Sequence, residues 1–325
     1  MANWLVIYIM QSIKTISERV DKMEMTSKKR KYLADLSLLF VAFVWGGGFV
    51  AVKDALTTVS PMLLMSLRFI IATVIMFIVF RKRIGKLSVE DYRKGSIVGF
   101  ILFLAFAAQT YGLQYTTASK QGFLTAVYVI IVPFLYWIIY KKRPQLKVFV
   151  GSFLTIAGIG LISLQSVAAF NVGDSLTLLC ALFFAMHIIS IEYFTKNMNV
   201  FKLAFIQLFV ASILFTITAL LTEPYTVDLT TRAWSAIIYL AVFSTFACFT
   251  TQTIAQKYTT SSHASIIMSL ESVFAAILGV LLLNEVMTPL MILGSLLIFI
   301  AILIVEVNFN KKNQSEKNKE SENFN

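Results

Sequence analysis

The chain has 325 residues, of which 58% are hydrophobic and 14% charged, and its mean hydropathy is +0.79. Because a soluble domain needs about a quarter of its residues charged, these values exclude a soluble enzyme, a nucleic-acid-binding protein and a disordered chain. They predict a protein embedded in a lipid bilayer. The two cysteines, Cys180 and Cys248, lie in apolar runs, so we expect no disulfide, no metal site and no cofactor.

Ten stretches of the chain are long and apolar enough to cross a bilayer, which takes about 20 residues. In chain order, these predicted spans cover 33–53, 61–80, 95–115, 118–140, 147–167, 172–194, 201–221, 234–256, 263–283 and 287–307. The connections between them are too short to hold a soluble domain. We therefore predict an all-α integral membrane protein with ten transmembrane helices.

Two tails flank the predicted spans. The N-terminal tail, residues 1–32, has an apolar run at 4–10 that is too short to cross a membrane. It lacks the basic segment and the cleavage site of a signal peptide. Because the sequence from Met25 resembles a natural beginning, we expect residues 1–24 to be dispensable for membrane insertion. The C-terminal tail, residues 308–325, is rich in Lys, Asn, Glu and Ser and is predicted to be disordered.

Basic residues are distributed unevenly between the two ends of the predicted helices. An even number of spans places both termini on one side, and 24 of the 28 Lys and Arg fall there. The other four are Lys53, Arg68, Lys120 and Arg232. Because cytoplasmic loops collect Lys and Arg, we expect both termini in the cytoplasm and the protein in the plasma (inner) membrane. The excess positive charge therefore requires no nucleic-acid partner.

The two halves of the chain contain a repeated sequence. Residues 100–119 and 243–262 match at nine of twenty positions without a gap. The matched polar pairs are Gln109/Gln252, Thr110/Thr253, Tyr115/Tyr258, Thr116/Thr259, Thr117/Thr260 and Ser119/Ser262. Earlier in the chain, an offset of 139 in place of 143 relates Asp35 to Asp174. Biased composition would not readily match polar side chains at fixed spacing, so we interpret the pattern as a true internal repeat.

Each half then has five helices, and we predict repeats at residues 33–167 and 172–307. Because five is odd, the second copy enters the membrane from the opposite side, and the two copies form an inverted repeat. Many secondary transporters are built in this way, with the substrate site near the middle of the membrane between the repeats. This symmetry provides two related conformations, one open to each side.

The same residues resemble the drug/metabolite transporter superfamily in its EamA-type branch. The resemblance spans roughly 33–307 and is carried by Trp45-Gly46-Gly47, Phe49, Lys53, Pro61, Arg68, the segment from Leu270 to Ala276, and the segment from Leu281 to Glu285. Two positions depart from the family pattern, which usually has Pro where Ser272 stands and Gly where Asn284 stands. The resemblance implies a transporter, with export of an amino acid or related metabolite as the expected direction and substrate class.

Two titratable side chains lie within predicted spans. Glu271 is at about mid-depth in the ninth span, where a charge is costly and must face the protein interior. It is a candidate for coupling proton movement to solute movement, and the alternative is a structural acid that joins helices. His187 lies in the sixth span on the same turn as Phe184, and it is either a proton switch or a packing residue.

Uncharged polar groups and one arginine complete the polar candidates. Gln109 and Gln252 are related by the repeat, and each amide must find a partner within an apolar helix, either in a cavity or between helices. Arg68 has Gln207 as its repeat partner, so it could meet an anionic substrate group or extend to the membrane surface. For Lys53 and Lys120, extension to the surface is the interpretation that we favour.

Aromatic side chains supply the rest of the predicted cavity. Trp45, Phe49, Tyr111 and Tyr128, with Phe184 as the repeat partner of Trp45, suit an aromatic or amphipathic ligand. Because the chain has 28 Phe, the alternative is that such aromatic density is lipid-facing packing. Three consecutive glycines, 46–48, follow Trp45 in the first span. They indicate either a broken helix at a binding site or a close approach between helices without unwinding.

The predicted function is secondary active transport of a small organic solute by alternating access, with membrane lipid as the surrounding medium. The alternative is a multidrug or metabolite permease of other specificity that works in uptake or efflux. Protons as a coupling ion and a homodimer are further possibilities that the sequence allows. The rival class is an intramembrane enzyme, but paired acids within a span and spaced His clusters are absent from the sequence. A third possibility is a scaffold protein that transports nothing. The inverted repeat argues against it, because a scaffold has no obvious use for two related conformations. We therefore predict a protein that is not an enzyme.

The distribution of basic residues can be tested directly. A reporter that is active only outside the cytoplasm, fused after Asn325, should stay silent because the C-terminus is expected in the cytoplasm. The same reporter fused in the connection at residues 56–60 should be active. Activity of the C-terminal fusion would mean that the topology is reversed or that a span is miscounted.

Overall fold

The computed structural model describes residues 27–141, 143–164, 171–223 and 229–306. Within these residues the regular structure is entirely helical. The helices are α1 (Ser27–Ala55), α2 (Pro61–Ile84), α3 (Val89–Leu113), α4 (Ala118–Thr125), α5 (Tyr128–Tyr140), α6 (Leu146–Leu164), α7 (Val172–Thr195), α8 (Val200–Thr222), α9 (Thr231–Tyr239), a π-helical segment (Leu240–Ala247), α10 (Cys248–Ala255), α11 (Ser261–Met268), α12 (Glu271–Leu283) and α13 (Pro289–Glu306). Most of the two predicted tails, residues 1–26 and 307–325, lies outside the described residues.

The prediction of an all-helical membrane protein is confirmed. In the described part of the chain, eight helical stretches are long and apolar enough to cross a membrane. They correspond to the first four predicted spans and to the sixth through the ninth. The predicted spans at 147–167 and 287–307 coincide with α6 and α13, which contain shorter apolar helices at Phe149–Gly158 and Pro289–Ala301. These two helices pack against each other at one edge of the bundle.

Two predicted spans are each divided into two helices, which the sequence pattern did not indicate. A turn at residues 126–127 separates α4 from α5, and one at 269–270 separates α11 from α12. Each turn contains a 3₁₀-type hydrogen bond, in which an N–H group donates to the carbonyl oxygen three residues earlier. These bonds run from Val127 N to Leu124 O and from Leu270 N to Ile267 O, and each is 3.3 Å long. No proline or glycine stands at either turn, so the sequence did not indicate it. The predicted spans at 118–140 and 263–283 are still confirmed, because each divided stretch is long and apolar enough to cross a membrane.

The two divided spans are equivalent under the repeat. An offset of 143 carries α4 onto α11 and α5 onto α12, end for end. The residues that follow α5 and α12, Lys141 and Asn284, have the same left-handed backbone, with φ of 57° and 54°. They are the non-glycine residues with positive φ in the described chain. The backbone therefore repeats more closely than the side chains do.

Helices of the two halves interlock around the centre of the molecule. In the second half, α12 packs on α1 and α4, and α7 packs on α3, α4 and α5. Two carboxylates of the second half cap helices of the first half: Glu223 caps α2, and Glu285 caps α4. A third, Glu192, caps α11 within the second half. Each accepts backbone N–H bonds of 2.6 to 3.0 Å. These groups satisfy donors that no helical carbonyl can reach.

Close helix contacts explain the glycines of the first and third spans. Helix α1 continues unbroken through residues 46–48, so the close-approach interpretation holds and the broken-helix one is wrong. A Cβ atom at Gly46 would collide with the Cβ atom of Phe274 in α12. On α3, a Cβ atom at Gly99 would lie 2.8 Å from the carbonyl oxygen of Gln207 in α8. Because glycine has no side chain at these two positions, α1 can approach α12 and α3 can approach α8 this closely.

We expect Gly99→Ala to destabilise the protein by about 1–3 kcal/mol, because the added methyl group forces α3 away from α8. Melting temperature in detergent measures the effect. Gly160→Ala is the matched control, since a Cβ atom there meets no atom of the described residues within 4 Å. It should be neutral or raise stability by roughly 0.5–1 kcal/mol through lower chain entropy. Equal melting temperatures for the two variants would contradict the close contact at Gly99.

Candidate functional site

A cavity lies between the two halves at the centre of the helical bundle. It contains about 560 Å³ of space free of protein atoms, some of it continuous with the exterior. Its walls come from α1, α2, α3, α4, α5, α7, the π-helical segment, α10 and α12. Both repeats therefore contribute to one site.

Eight of the ten side chains predicted from the sequence line this cavity. They are Trp45, Phe49, Arg68, Gln109, Tyr128, Phe184, Gln252 and Glu271. Of the other two, His187 is fully buried beside it, and Tyr111 is not among the residues that line it. The structure thus brings together residues that are up to 226 positions apart in the chain, from Trp45 to Glu271.

Arg68 is a buried cation held by hydroxyl groups. Its side chain is only 2% exposed, so of the two interpretations left open by the sequence, extension to the membrane surface is wrong. Its Nη2 atom donates to the Ser244 hydroxyl at 3.0 Å, and its Nε atom donates to the Thr245 hydroxyl. The guanidinium also lies 4.7 Å from the centre of the Phe106 ring. Among the described residues, no carboxylate forms an ion pair with it.

The π-helical segment explains this arrangement. A π-helix is wider than an α-helix, and such segments commonly occur at functional sites. Here it presents Ser244 and Thr245 toward Arg68, and the carbonyl oxygen of Ser244 accepts a 2.8 Å bond from the Trp45 indole. The corresponding part of α3 in the first half is regular α-helix. The repeat is therefore asymmetric where Arg68 binds.

Glu271 begins α12, directly after the turn that divides its span. Its side chain is 4% exposed, and it lines the cavity without an ion-pair partner in the described chain. Tyr128 begins α5 and is the residue that the offset of 143 relates to Glu271. Its hydroxyl approaches the Glu271 carboxyl but lacks hydrogen-bond geometry. The two repeat-related turns thus place an acid and a phenol face to face.

The repeat-related glutamines have unequal surroundings. Gln109 donates a long 3.5 Å bond from its amide nitrogen to the Thr125 hydroxyl. Gln252 is 1% exposed, and its amide oxygen has no hydrogen-bond partner among the described residues. A third glutamine, Gln121, donates at 2.6 Å to the backbone oxygen of Gln109. The cavity therefore contains amide groups with unused hydrogen-bonding capacity.

Aromatic rings form the apolar wall of the cavity. Phe106 packs edge-on against Phe184 with ring centres 5.2 Å apart, and Trp45 lies 5.2 Å from Phe249. Phe49 and Tyr128 complete the wall. A solute bound here would meet aromatic faces on one side and amide, guanidinium and carboxyl groups on the other.

His187 belongs to the packing beside the cavity and is not among the residues that line it. Its Nε2 atom lies 2.9 Å from the amide oxygen of Gln207, and Gln207 donates in turn to the Thr253 hydroxyl at 3.0 Å. The ring packs edge-on against Phe249 with centres 5.7 Å apart. The packing interpretation therefore fits His187 better than the switch.

The two lysines, Lys53 and Lys120, differ from each other. Lys53 is partly exposed and donates to the carbonyl oxygens of Leu113 and Thr116 at 2.8 and 2.7 Å, near the end of α3. Lys120 is 5% exposed and forms a 2.8 Å ion pair with Asp174. The prediction of surface extension was therefore wrong for Lys120.

Sequence reasoning missed several residues of the cavity. Gln121 and Ser244 both line it, and so do Phe106 and Ile188. A polar residue four positions into a span is a signal that could have identified Gln121. No comparable signal exists for Ser244, because the π-helical segment that positions it has no marker in the local sequence.

Comparison with known proteins agrees with this architecture. The profile of the EamA-like transporter family matches residues 32–164 and again residues 171–307. An uncharacterized transporter of Archaeoglobus fulgidus is 38% identical over 279 residues, which cover 86% of this chain and 87% of that protein. The uncharacterized transporter YcxC of Bacillus subtilis is 25% identical over 304 residues, 88% of this chain and 96% of that protein.

A solved structure, described only as a crystal structure of protein, has the same fold. It superposes with a TM-score of 0.68 at 16% identity and covers 85% of this chain and 96% of its own. The apolar helices together with the family match identify a multi-pass membrane transporter. The chain belongs to the EamA-like transporter family.

The glutamines allow a test of the cavity against simple helix packing. Gln252→Leu should leave the melting temperature nearly unchanged, because its amide oxygen has no partner to lose, while solute transport in proteoliposomes falls. Gln207→Leu is the matched control outside the cavity, since its amide bonds both His187 and Thr253. It should cost about 0.6–2 kcal/mol of stability and retain transport. A Gln252→Leu protein that melts lower but transports normally would contradict the cavity role.

Proposed function

We propose that the protein is a secondary active transporter that moves a small organic solute across the plasma membrane by alternating access, and that it exports an amino acid or a related metabolite. The observation that carries the proposal is the pairing of Arg68 and Glu271 in one cavity. Each is buried, and neither has an ion-pair partner among the described residues. A buried ionisable group without a partner is costly. A cavity that contains both of these groups is therefore suited to a ligand whose own charged groups pair with them.

The chemistry of the two groups supports a zwitterionic solute. A guanidinium presents several donors in one plane and binds carboxylates well. The Glu271 carboxyl can accept hydrogen bonds from an ammonium group. The aromatic wall of Trp45, Phe106 and Phe184 suits an apolar side chain. A single α-amino acid presents all three features.

The internal symmetry supports alternating access. We propose that the repeats at 33–167 and 172–307 exchange conformations around the cavity, as inverted repeats do in other secondary transporters. The repeat-related turns before Tyr128 and Glu271 lie at the cavity and lack full α-helical bonding. Such places are suited to bending when one end of the cavity opens and the other closes.

The charge distribution supports an orientation with both termini in the cytoplasm. A second pocket, open to the exterior, lies at the end of the bundle where α1 begins. Its charged lining consists of Arg30, Lys31, Lys196, Lys257 and Glu192. Four cations against one carboxylate agree with the cytoplasmic enrichment of basic residues.

The proposal extends to coupling, with Glu271 as the proton carrier. We expect Glu271→Gln to bind and exchange labelled solute but to lose accumulation against a gradient when a pH difference is imposed. The amide keeps the shape and hydrogen bonding of the side chain but cannot titrate. The measurement is uptake of a labelled panel of neutral amino acids, dicarboxylates and amines into proteoliposomes, with and without the pH difference.

Two further variants make this experiment decisive. Arg68→Gln should weaken transport of carboxylate-bearing solutes by about 30-fold or more, because a buried charged contact is lost. Glu90→Gln, an exposed carboxylate near the start of α3, is the control and should behave as wild type. A folded Glu271→Gln protein that still accumulates solute at the normal rate would rule out proton coupling through this residue. A wild-type protein that moves no member of the panel would contradict the proposed substrate class.

A further inference from the structure

Two acid–base pairs join helices near the two ends of the bundle. Lys120 at the start of α4 contacts Asp174 at the start of α7, with Nζ and Oδ2 2.8 Å apart. His263 at the start of α11 contacts Asp35 near the start of α1, with Nε2 and Oδ1 3.1 Å apart. Each pair links a helix of one repeat to a helix of the other.

The two pairs are equivalent under the internal repeat. The offset of 143 that relates α4 to α11 carries Lys120 onto His263. The offset of 139 that relates α1 to α7 carries Asp35 onto Asp174. The local backbone agrees, because a threonine hydroxyl caps the helix three residues before each base. Chance placement would not reproduce the acid, the base and the cap together.

The pairs lie on opposite sides of the cavity. Asp35 is near the beginning of α1, whereas Lys53, near its end, donates to the carbonyl oxygen of Thr116 just before α4. The 18 residues between Asp35 and Lys53 span about 27 Å at 1.5 Å per residue. We call these the Asp35 end and the Lys53 end of the molecule.

Each pair sits on a helix that leads to the solute cavity. At the Lys53 end, Lys120 is followed by Gln121, which lines the cavity. At the Asp35 end, α11 continues through the turn at 269–270 to Glu271, which also lines it. Separation of either pair would therefore move a wall of the cavity.

The pairs are not equally tight. The side chains of Lys120 and Asp174 are 6% and 0% exposed, whereas those of His263 and Asp35 are 23% and 27% exposed. Lysine is charged at neutral pH, but histidine carries a charge only when it is protonated. The Lys53 end therefore contains a buried ion pair, and the Asp35 end contains a more exposed contact.

We propose that Lys120–Asp174 and Asp35–His263, both formed in this structure, are the two gates of the transport cycle and that each stays formed while the other separates. The proposal rests on the proposed alternating-access function and adds the residues that control it. The unequal base types bias the cycle, and the lysine pair favours conformations in which the Lys53 end is shut. The Asp35 end is correspondingly the easier one to open.

Exchanging the two bases between the gates tests this proposal. The variant Lys120→His with His263→Lys should reverse the bias, because the permanent charge moves to the other end. Spin labels at Ser175 and Val286 report on the Lys53 end, and labels at Leu36 and Arg143 are their repeat-related equivalents at the Asp35 end. Both native cysteines are first replaced by alanine, and distances are measured by pulsed electron resonance on the purified full-length chain.

We expect the ratio of long to short distances to rise at least tenfold at the Lys53 end and to fall at the Asp35 end. The single variants Lys120→His and His263→Lys should each shift both ends in those same directions. Lys202→His is the matched control, because it weakens a 2.7 Å ion pair with Asp91 that has no repeat-related counterpart. It should leave both distance distributions unchanged.

Three outcomes would overturn the gates: unchanged distributions in the exchange variant, shifts of both ends in the same direction, or an equal shift in Lys202→His. The measurement needs no solute. If no solute of the panel is transported, the proposed substrate class is contradicted, but the distance measurement still tests the gates. If the distances contradict the gates, the transport assay still tests the substrate class.

Discussion

In a bilayer, each backbone N–H and carbonyl must find its partner inside the protein, because lipid offers none. This constraint makes long unbroken helices the default, and departures from them are costly unless protein or a cavity surrounds them. Three departures occur in the described spans: the turns at 126–127 and 269–270 and the π-helical segment Leu240–Ala247. All three lie beside the central cavity. The irregular backbone and the polar site are thus two aspects of one arrangement.

The same low-dielectric surroundings govern the charged groups. Several ionisable side chains are satisfied by a neighbour: buried Lys120 by Asp174, buried Glu192 by a helix N-terminus, and the half-buried Glu223 and Glu285 by helix N-termini as well. Arg68 and Glu271 differ because no opposite charge of the described residues meets them. Arg68 is held instead by two hydroxyls and a ring face, which orient the guanidinium without neutralising it. Its position is fixed while its charge stays available.

Sequence reasoning recovered the features that depend on composition and periodicity. Apolar length located the helices, matched polar positions revealed the repeat, and the rarity of polar groups in apolar spans pointed to Arg68, Gln252 and Glu271. It failed where the outcome depends on which helices become neighbours. Lys120 resembles a residue that extends to the surface until α7 places Asp174 beside it. The turn before Glu271 contains no proline or glycine that would mark it in the sequence. Serine hydroxyls donate to backbone carbonyl oxygens at this turn, and these bonds form only in the folded chain.

The repeat is close in backbone but unequal in chemistry at two positions of the cavity region: Arg68 in the first half corresponds to Gln207 in the second, and Tyr128 corresponds to Glu271. An assembly of two identical first halves would place two guanidiniums in its central space and no carboxylate. Two identical second halves would place two carboxylates there and no guanidinium. A fused chain, whose halves can differ in sequence, presents one of each. Joining the halves therefore creates a site with distinct poles, which can hold a molecule with unlike ends in a single orientation.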